Sequence, residues 1–309
     1  MSEDMDKVDG LKVIQAGVCC TVQDLGRYGY ATHGLSQGGP IDLQAHCWAN
    51  RLLGNEPDAA TIEIAVGMAS FQAKSDLLLA ICGADMRAEI DGNLVGNWRS
   101  FPIQRGQTLK LHPAREGLRG YIGLKGGVQT EPIMESCSVV VRNGVGSLLT
   151  EGEVLPALAV DPVNVAHVPA RYVPNYPATI SLRVIESYQA CDFSPEALSG
   201  FYQAEYEVTP ELDRMGVKLK GNQIKPPNDG IISEGIALGA IQVPNDGQPI
   251  VLLNDRQTLG GYPKLGVVAR VDLPKLGQAG PGTKVQFSPV TLGQAQQEWR
   301  QFCDYFLSV

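Results

Sequence analysis

A chain of 309 residues with 44% hydrophobic and 19% charged side chains carries enough apolar material for a large core, and its length suits about two domains. Its 25 basic and 33 acidic residues leave a net charge of -8, which opposes nonspecific attachment to phosphate backbones, so nucleic acid is not an expected partner. No apolar run approaches the ~20 residues needed to cross a bilayer, and no membrane helix is expected.

The N-terminus, Met1-Ser-Glu-Asp-Met-Asp-Lys-Val8, is acidic and polar, without the basic start and apolar stretch of a secretion signal, and a cytoplasmic location follows as the expectation. Short runs rich in Val, Ile and Leu, punctuated by 35 glycines and 20 prolines, point to a mainly β protein with a few helices. Strands are expected over 11–16, 62–73, 77–82, 108–111 and 121–124 in the first half, and over 180–185, 236–243, 250–253, 265–273 and 285–287 in the second. Pro40 opens the first helix, Asp42 complements its dipole, and Ile41, Ala45, Trp48, Ala49 and Leu52 share a face before Gly54-Asn55 stops it. Pro156, Pro162, Pro169, Pro174 and Pro177 interrupt any periodicity and mark a connector over 156–178. The second helix starts with Ser194 as cap and Pro195 in the first turn, and buries Leu198, Phe201 and Tyr202. Pro244-Asn-Asp-Gly247 has the residues of a tight reversal between two strands. The third helix begins at Thr291 with a capping box closed by Gln294, and its stripe of Leu292, Ala295, Trp299, Phe302 and Phe306 is assigned to core packing. Each side of the connector thus holds several strands and one amphipathic helix, giving domains over 10–155 and 179–309, with strands free to cross between the halves.

Several features of common enzyme classes are missing. Neither Gly260-Gly-Tyr-Pro-Lys264 nor Gly280-Pro-Gly-Thr-Lys284 fits a phosphate loop, and no Gly-x-Ser-x-Gly elbow is present. The four histidines, His33, His46, His112 and His167, lie far apart without close His or Cys partners, so no metal is expected. Seven cysteines lack paired spacings and read as reduced, mostly buried thiols.

Polar chemistry concentrates instead in Asn254-Asp-Arg-Gln-Thr-Leu-Gly-Gly-Tyr-Pro-Lys264, where acid, base, amide, hydroxyl and glycines lie between two apolar runs. On structural grounds alone, this is a turn with Asp255 and Arg256 paired at the surface and Lys264 solvated over an apolar stem. A second cluster, Gln23, Asp24 and Arg27, is punctuated by Gly26 and Gly29; an Asp24 to Arg27 ion pair fixing the loop competes there with a catalytic carboxylate and an anion-binding guanidinium. Asp85 and Asp213-Arg214 stand either as turn caps and salt bridges or as contributors to a shared cleft.

Together with Thr21-Val-Gln-Asp-Leu-Gly-Arg-Tyr-Gly-Tyr30, Cys82-Gly-Ala-Asp85, Asp213-Arg-Met-Gly-Val-Lys-Leu219, Ile232-Ser-Glu-Gly235 and Gly239-Ala-Ile-Gln-Val-Pro-Asn-Asp-Gly-Gln-Pro249, the loop resembles the allophanate hydrolase subunit 2 family, which includes the C-type subunit of 5-oxoprolinase, a kinase-inhibitor antagonist and the carboxyltransferase region of urea carboxylase. The resemblance implies two cyclophilin-like β-barrel domains. It also implies 5-oxoproline, urea or the ureido ring of biotin as ligands, each presenting an N–H and a C=O along one edge. A glutamine amide matches such an edge with one donor and one acceptor, which makes Gln257 the candidate for orienting it. Lys264 is then the candidate for stabilising charge on the carbonyl oxygen, and Arg27 and Asp24 complete the catalytic set. Gln23, Thr258, Gly260, Gly261, Tyr262, Asp85 and Arg214 are the candidate substrate contacts. The reaction so implied is ATP-dependent opening of the 5-oxoproline lactam to glutamate, with ATP bound in a complex because this chain has no phosphate loop. The implied partners are a subunit-B-like protein of the allophanate hydrolase subunit 1 family and, as a further candidate, a subunit-A-like protein. The alternatives are carboxyl transfer from carboxybiotin, delivered on another chain because no Ala-Met-Lys-Met attachment sequence is present, and non-catalytic binding of a subunit-B-like kinase inhibitor. One region departs from the pattern: Glu135-Ser-Cys-Ser-Val139 and Gly144-Val-Gly-Ser147 each lack a glycine that relatives carry, which alters backbone approach there.

Overall fold

The computed structural model describes residues 7–159, 165–227 and 230–308. The acidic start at 1–6 and Pro162 lie outside the described residues. Two compact units divide the chain: the first takes the residues up to Arg27 with Gly38–Asn175, and the second takes Tyr28–Gln37 with Tyr176–Ser308.

The first unit holds two antiparallel sheets. One runs Val154–Leu158, Lys7–Ala16, Ala69–Ala73, Thr108–Leu111, Glu89–Ile90 and Asn93–Leu94 in spatial order; the other runs Cys19–Gln23, Thr61–Ala65, Glu116–Leu124, Leu77–Asp85 and Arg99–Ile103. Leu11, Val13, Phe71, Ile62, Ile64, Leu79, Leu109 and Ile122 are wholly buried in one cluster drawn from both sheets. Helix α1, Leu43–Leu53, packs on the strands Leu77–Asp85 and Glu116–Leu124. Those strands are therefore covered on both faces, which explains why Leu77-Leu-Leu-Ala-Ile-Cys82 is apolar without alternation.

The second unit is built on a closed barrel of seven strands: Thr179–Glu186, Lys264–Val268, Ala240–Gln242, Ile250–Leu252, Gly216–Lys220, Glu205–Leu212 and Lys284–Pro289. A parallel pairing, Thr179 opposite Lys284, closes the ring. Leu182, Val184, Leu219, Val251 and Val285 fill it without exposure. Helix α2, Pro195–Gln203, lays Phe201 on Phe287 with ring centroids 4.6 Å apart.

Ser194 caps α2 through Ala197 N–H, and Thr291 and Gln294 form the capping box of the last helix, Leu292–Phe306, as their spacing predicts. Gly247 at φ 71° returns its N–H to Pro244 and makes the expected reversal. Other expectations change. The run 62–73 divides into Thr61–Ala65 and Ala69–Ala73, because Val66, Gly67 and Met68 all take positive φ and turn the chain. The run 236–243 shrinks to Ala240–Gln242, since Gly239 at φ 82° breaks the extended conformation. The alternation 265–273 is strand only to Val268; Asp272 then accepts hydrogen bonds from Arg183, and Leu273–Gly277 forms a short helix, α3, with Pro274 in its first turn. Asp42 is the N-cap of α1, accepting from Ala45 N–H, so Pro40 and Ile41 precede the helix.

In the last helix, α4, only Ala295 of the expected stripe is buried; Leu292 is exposed, and Trp299, Phe302 and Phe306 are half-buried. None of the seven cysteines forms a disulfide, but only Cys20, Cys47 and Cys82 are buried. Within the expected connector, residues 156–158 belong to a strand, and Ala166 and Val168 hydrogen-bond to Ser100 and Trp98. No helix among the described residues is long and apolar enough to cross a membrane.

Candidate functional site

The strand Ile250–Leu252 leads into the polar loop, which returns to the barrel as Lys264–Val268. The loop is tied down residue by residue. Asp255 is buried and accepts from Arg214 Nε and Nη2, both at 2.9 Å, in a two-pronged pair. Arg214, expected as a substrate contact, thus anchors the loop, and Asp255 pairs with it rather than with Arg256 at the surface. Arg256 donates from Nε to Ile236 O at 3.0 Å. Ser36 Oγ reaches Arg256 O at 2.7 Å from the segment Tyr28–Gln37.

Farther along, Thr258 O accepts from Ile236 N–H, Gly260 pairs with Glu234 in a two-stranded ribbon, and Gly261 O accepts from Ile231 N–H. A methyl group on Gly260 would lie 2.3 Å from Ile236 Cδ1, so a larger residue there requires the Ile236 side chain to shift. Tyr262 is 44% exposed. The Gln257 amide is half-buried, and among the described residues neither it nor the Thr258 hydroxyl has a side-chain hydrogen-bond partner in the chain. Both remain available to a ligand edge.

Lys264 is buried at 6% exposure, and its ammonium is held by Glu234 Oε1. The same carboxylate accepts from Gln189 Nε2 at 3.0 Å and from the Tyr188 hydroxyl. Gln189 Oε1 in turn accepts Lys264 N–H at 2.8 Å, so the lysine is fixed at both ends. The Lys264 ammonium, followed by the Tyr188 hydroxyl, holds the Glu234 carboxyl below its ordinary range. Glu234 in return raises the Tyr188 phenol. Gln242 lies opposite Lys264 across a register shift between the strands, which brings both side chains to one face.

Sequence reasoning did not select Glu234, Gln189 or Tyr188. Glu234 stands in the Ile232-Ser-Glu-Gly235 motif, but no local spacing links it to a lysine thirty residues on. The available signal was a carboxylate beside a glycine in an otherwise apolar stretch.

In the first unit, Gln23, Asp24 and Arg27 gather around residues 133–139. Gln23 donates to Thr21 Oγ1 and Val139 O and accepts from Gly39 N–H. Asp24 Oδ1 accepts from Ser136 Oγ and Ser138 Oγ, both at 2.6 Å, and Oδ2 accepts from Cys137 N–H at 2.5 Å. Arg27 donates to the carbonyls of Ile133, Ser136 and Ser138. Three expected site residues therefore brace the segment that departs from the family pattern.

The turn between Ile133 and Ser136 puts Met134 at φ 51° and Glu135 at φ 63°. Glu135 thus places a side chain in the left-handed region that favours glycine, and Asp24 and Arg27 hold the adjoining backbone in place. Asp85 is elsewhere in this unit, accepting Arg87 N–H at 3.0 Å as a turn cap. No group of three or more His, Cys, Asp or Glu side chains among the described residues is placed to hold a metal ion.

A family model described as the carboxyltransferase domain, subdomains A and B, matches residues 33–289. The chain is 32% identical to the C-type subunit of 5-oxoprolinase from Escherichia coli strain K12 over 301 residues, covering 96% of each protein. It is 26% identical to urea amidolyase of Saccharomyces cerevisiae, covering 91% of this chain but 17% of that protein. The crystal structure of Kluyveromyces lactis urea carboxylase superposes over 99% of this chain and 30% of that one, with a TM-score of 0.88 at 24% identity, which is a likeness of fold.

Proposed function

The chain belongs to the carboxyltransferase-domain family, subdomains A and B, and from that premise we propose that it is a subunit of an ATP-dependent 5-oxoprolinase complex that opens the 5-oxoproline lactam to glutamate. The observation that carries this reading is the coverage: the similarity takes in 96% of the C-type 5-oxoprolinase subunit, whereas this chain spans a small part of the urea amidolyases it resembles.

The geometry of the second unit supports it. The unpartnered Gln257 amide would take the lactam edge, its oxygen accepting the ring N–H and its nitrogen donating to the ring carbonyl. Lys264 would neutralise charge developing on that carbonyl oxygen from a fixed position, since Glu234 and Gln189 hold it before substrate arrives. Thr258, Gly260, Gly261 and Tyr262 would line the approach. Asp24, Gln23 and Arg27 would act through the backbone they brace, and Arg214 through Asp255. ATP, bound with partner subunits, would phosphorylate the carbonyl oxygen and make the ring carbon more electrophilic toward water. The complex would include a subunit-B-like protein and function in the cytoplasm.

The test is glutamate release from 5-oxoproline and ATP by the chain co-purified with its neighbouring subunits. Lys264→Ala is expected to lower kcat about 100-fold, the usual loss when one oxyanion donor is removed. Gln257→Ala is expected to raise KM about tenfold, as for the loss of a ligand hydrogen bond. Turnover that requires carboxybiotin, or binding of the partner without turnover, would replace this reading.

A further inference from the structure

We propose that the Gln242 carboxamide is a further hydrogen-bond donor to the carbonyl oxygen of the bound amide, beside Lys264, and that the strand Leu259–Gly260 lifts to uncover it. The inference rests on the lactam-opening reading and deepens it by adding a residue that meets the ligand.

Gln242 is 1% exposed, and its Nε2 is enclosed with no hydrogen-bond partner among the described residues. Ala240, two positions before it on the same strand face, packs with Ile236 and Leu252 in a small apolar cluster. A strand that served packing alone would carry Val or Ile at 242, because a buried amide donor with nothing to accept from it destabilises the fold. The contacts around this amide close into a ring. Gln242 stands opposite Lys264 on the neighbouring strand, the Lys264 ammonium rests on Glu234 Oε1, Glu234 pairs with Gly260 in the ribbon, and a methyl group on Gly260 would lie 2.9 Å from Gln242 Nε2. The amide therefore lies against the main chain of Gly260, with Lys264 beside it.

The cover is slight. Leu259–Gly260 spans two residues, and Leu259 is 61% exposed. The ribbon pairing fastens this strand to residues 231–236, flanked by the bonds from Ile236 N–H to Thr258 O and from Ile231 N–H to Gly261 O. Lys264 does not depend on that strand, since Glu234 holds its ammonium and Gln189 Oε1 accepts its N–H at 2.8 Å. Lifting 258–261 thus uncovers Gln242 while Lys264 keeps its place. With the strand closed the amide is unpaired; with it open and a ligand carbonyl in reach the amide gains an acceptor, so the ligand favours the open form. Charge developing on that oxygen is best stabilised by several donors fixed in advance and held away from water, and Gln242 supplies one.

Binding of 5-oxoproline and of its thiolactam counterpart, in which sulfur replaces the ring oxygen and accepts hydrogen bonds poorly, is measured calorimetrically on the chain and on its co-purified assembly. Gln242→Met keeps the length of the side chain and removes the donor. It is expected to bind 5-oxoproline at least tenfold more weakly, to lose the preference for oxygen over sulfur, and to melt no lower than wild type; Gln242→Asn, which keeps an amide on a shorter arm, retains part of the preference. Saturating 5-oxoproline is expected to speed hydrogen exchange at the Ile231 and Ile236 amides and to leave the Lys264 amide protected. Wild-type binding by folded Gln242→Met, with or without a lower melting temperature, overturns the assignment, as does the absence of 5-oxoproline binding by either preparation. Slower exchange at Ile231 and Ile236 in the presence of the ligand overturns the lifting of the strand. Gln242-dependent binding in an assembly that releases no glutamate keeps the site and removes the lactam-opening reaction instead.

Discussion

Asp272 is 1% exposed and accepts from Arg183 Nε at 2.8 Å, Arg183 Nη2 at 2.9 Å and Lys275 Nζ at 2.8 Å. Burial works against its ionisation, but the hydrogen bonds from Arg183 and Lys275 together override that and lower its carboxyl below the ordinary value. A carboxyl that ionises more easily in the folded chain than in the unfolded one stabilises the fold above the unfolded pKa, near 4, and loses that contribution as pH falls through the lower folded value. Asp272→Asn is therefore expected to cost about 3 kcal/mol at pH 7, the usual loss on breaking a buried ion pair. The difference from wild type should narrow below about pH 4. Urea denaturation across pH checks both the size and the direction; a gap that widens on acidification contradicts the assignment. The sequence shows Arg183 and Asp272 only as two charges 89 positions apart, so this pair was out of reach before folding. Separation in sequence likewise hid Glu234 from Lys264, 30 positions on, and made Arg256, the neighbour of Asp255, look like its partner in place of Arg214.

Strands and helices were legible where their signals are local. The caps of α2 and α4 involve side chains three residues from the groups they bind, and the reversal at Pro244–Gly247 is encoded in four consecutive residues. The interruption at 66–68 was not legible, because two of its three positive-φ residues are Val66 and Met68, which sequence patterns assign to extended chain. Their partner is elsewhere: a methyl group on Gly67 would lie 2.1 Å from His112 O. Gly67→Ala should thus combine a left-handed backbone penalty with a clash against main chain, and destabilise the first unit by about 3 kcal/mol or more. A loss under about 1 kcal/mol in chemical denaturation would mean the turn can rearrange freely.

The composition of the two units was only partly readable. A chain pattern that places one helix and several strands on either side of a proline-rich stretch gives no hint that Tyr28–Gln37 belongs with residues from Tyr176 onward. Ser36 is 3% exposed, and its hydroxyl reaches the carbonyls of Asp255 and Arg256 at 3.2 and 2.7 Å. Ser36→Ala is expected to cost about 1–2 kcal/mol and to speed amide hydrogen exchange across 254–261, leaving the strands at 61–124 unchanged. Uniform exchange over the whole chain would show instead that the segment stabilises the molecule without acting on the polar loop.

That ten-residue segment also sets an order of events during synthesis. The carbonyls it binds are encoded some 220 residues later, so it leaves the ribosome on the order of ten seconds or more before they exist. During that interval the nascent chain must carry an unsatisfied stretch between two parts of its first unit, and the growing polypeptide has reason to engage a chaperone until the barrel is translated.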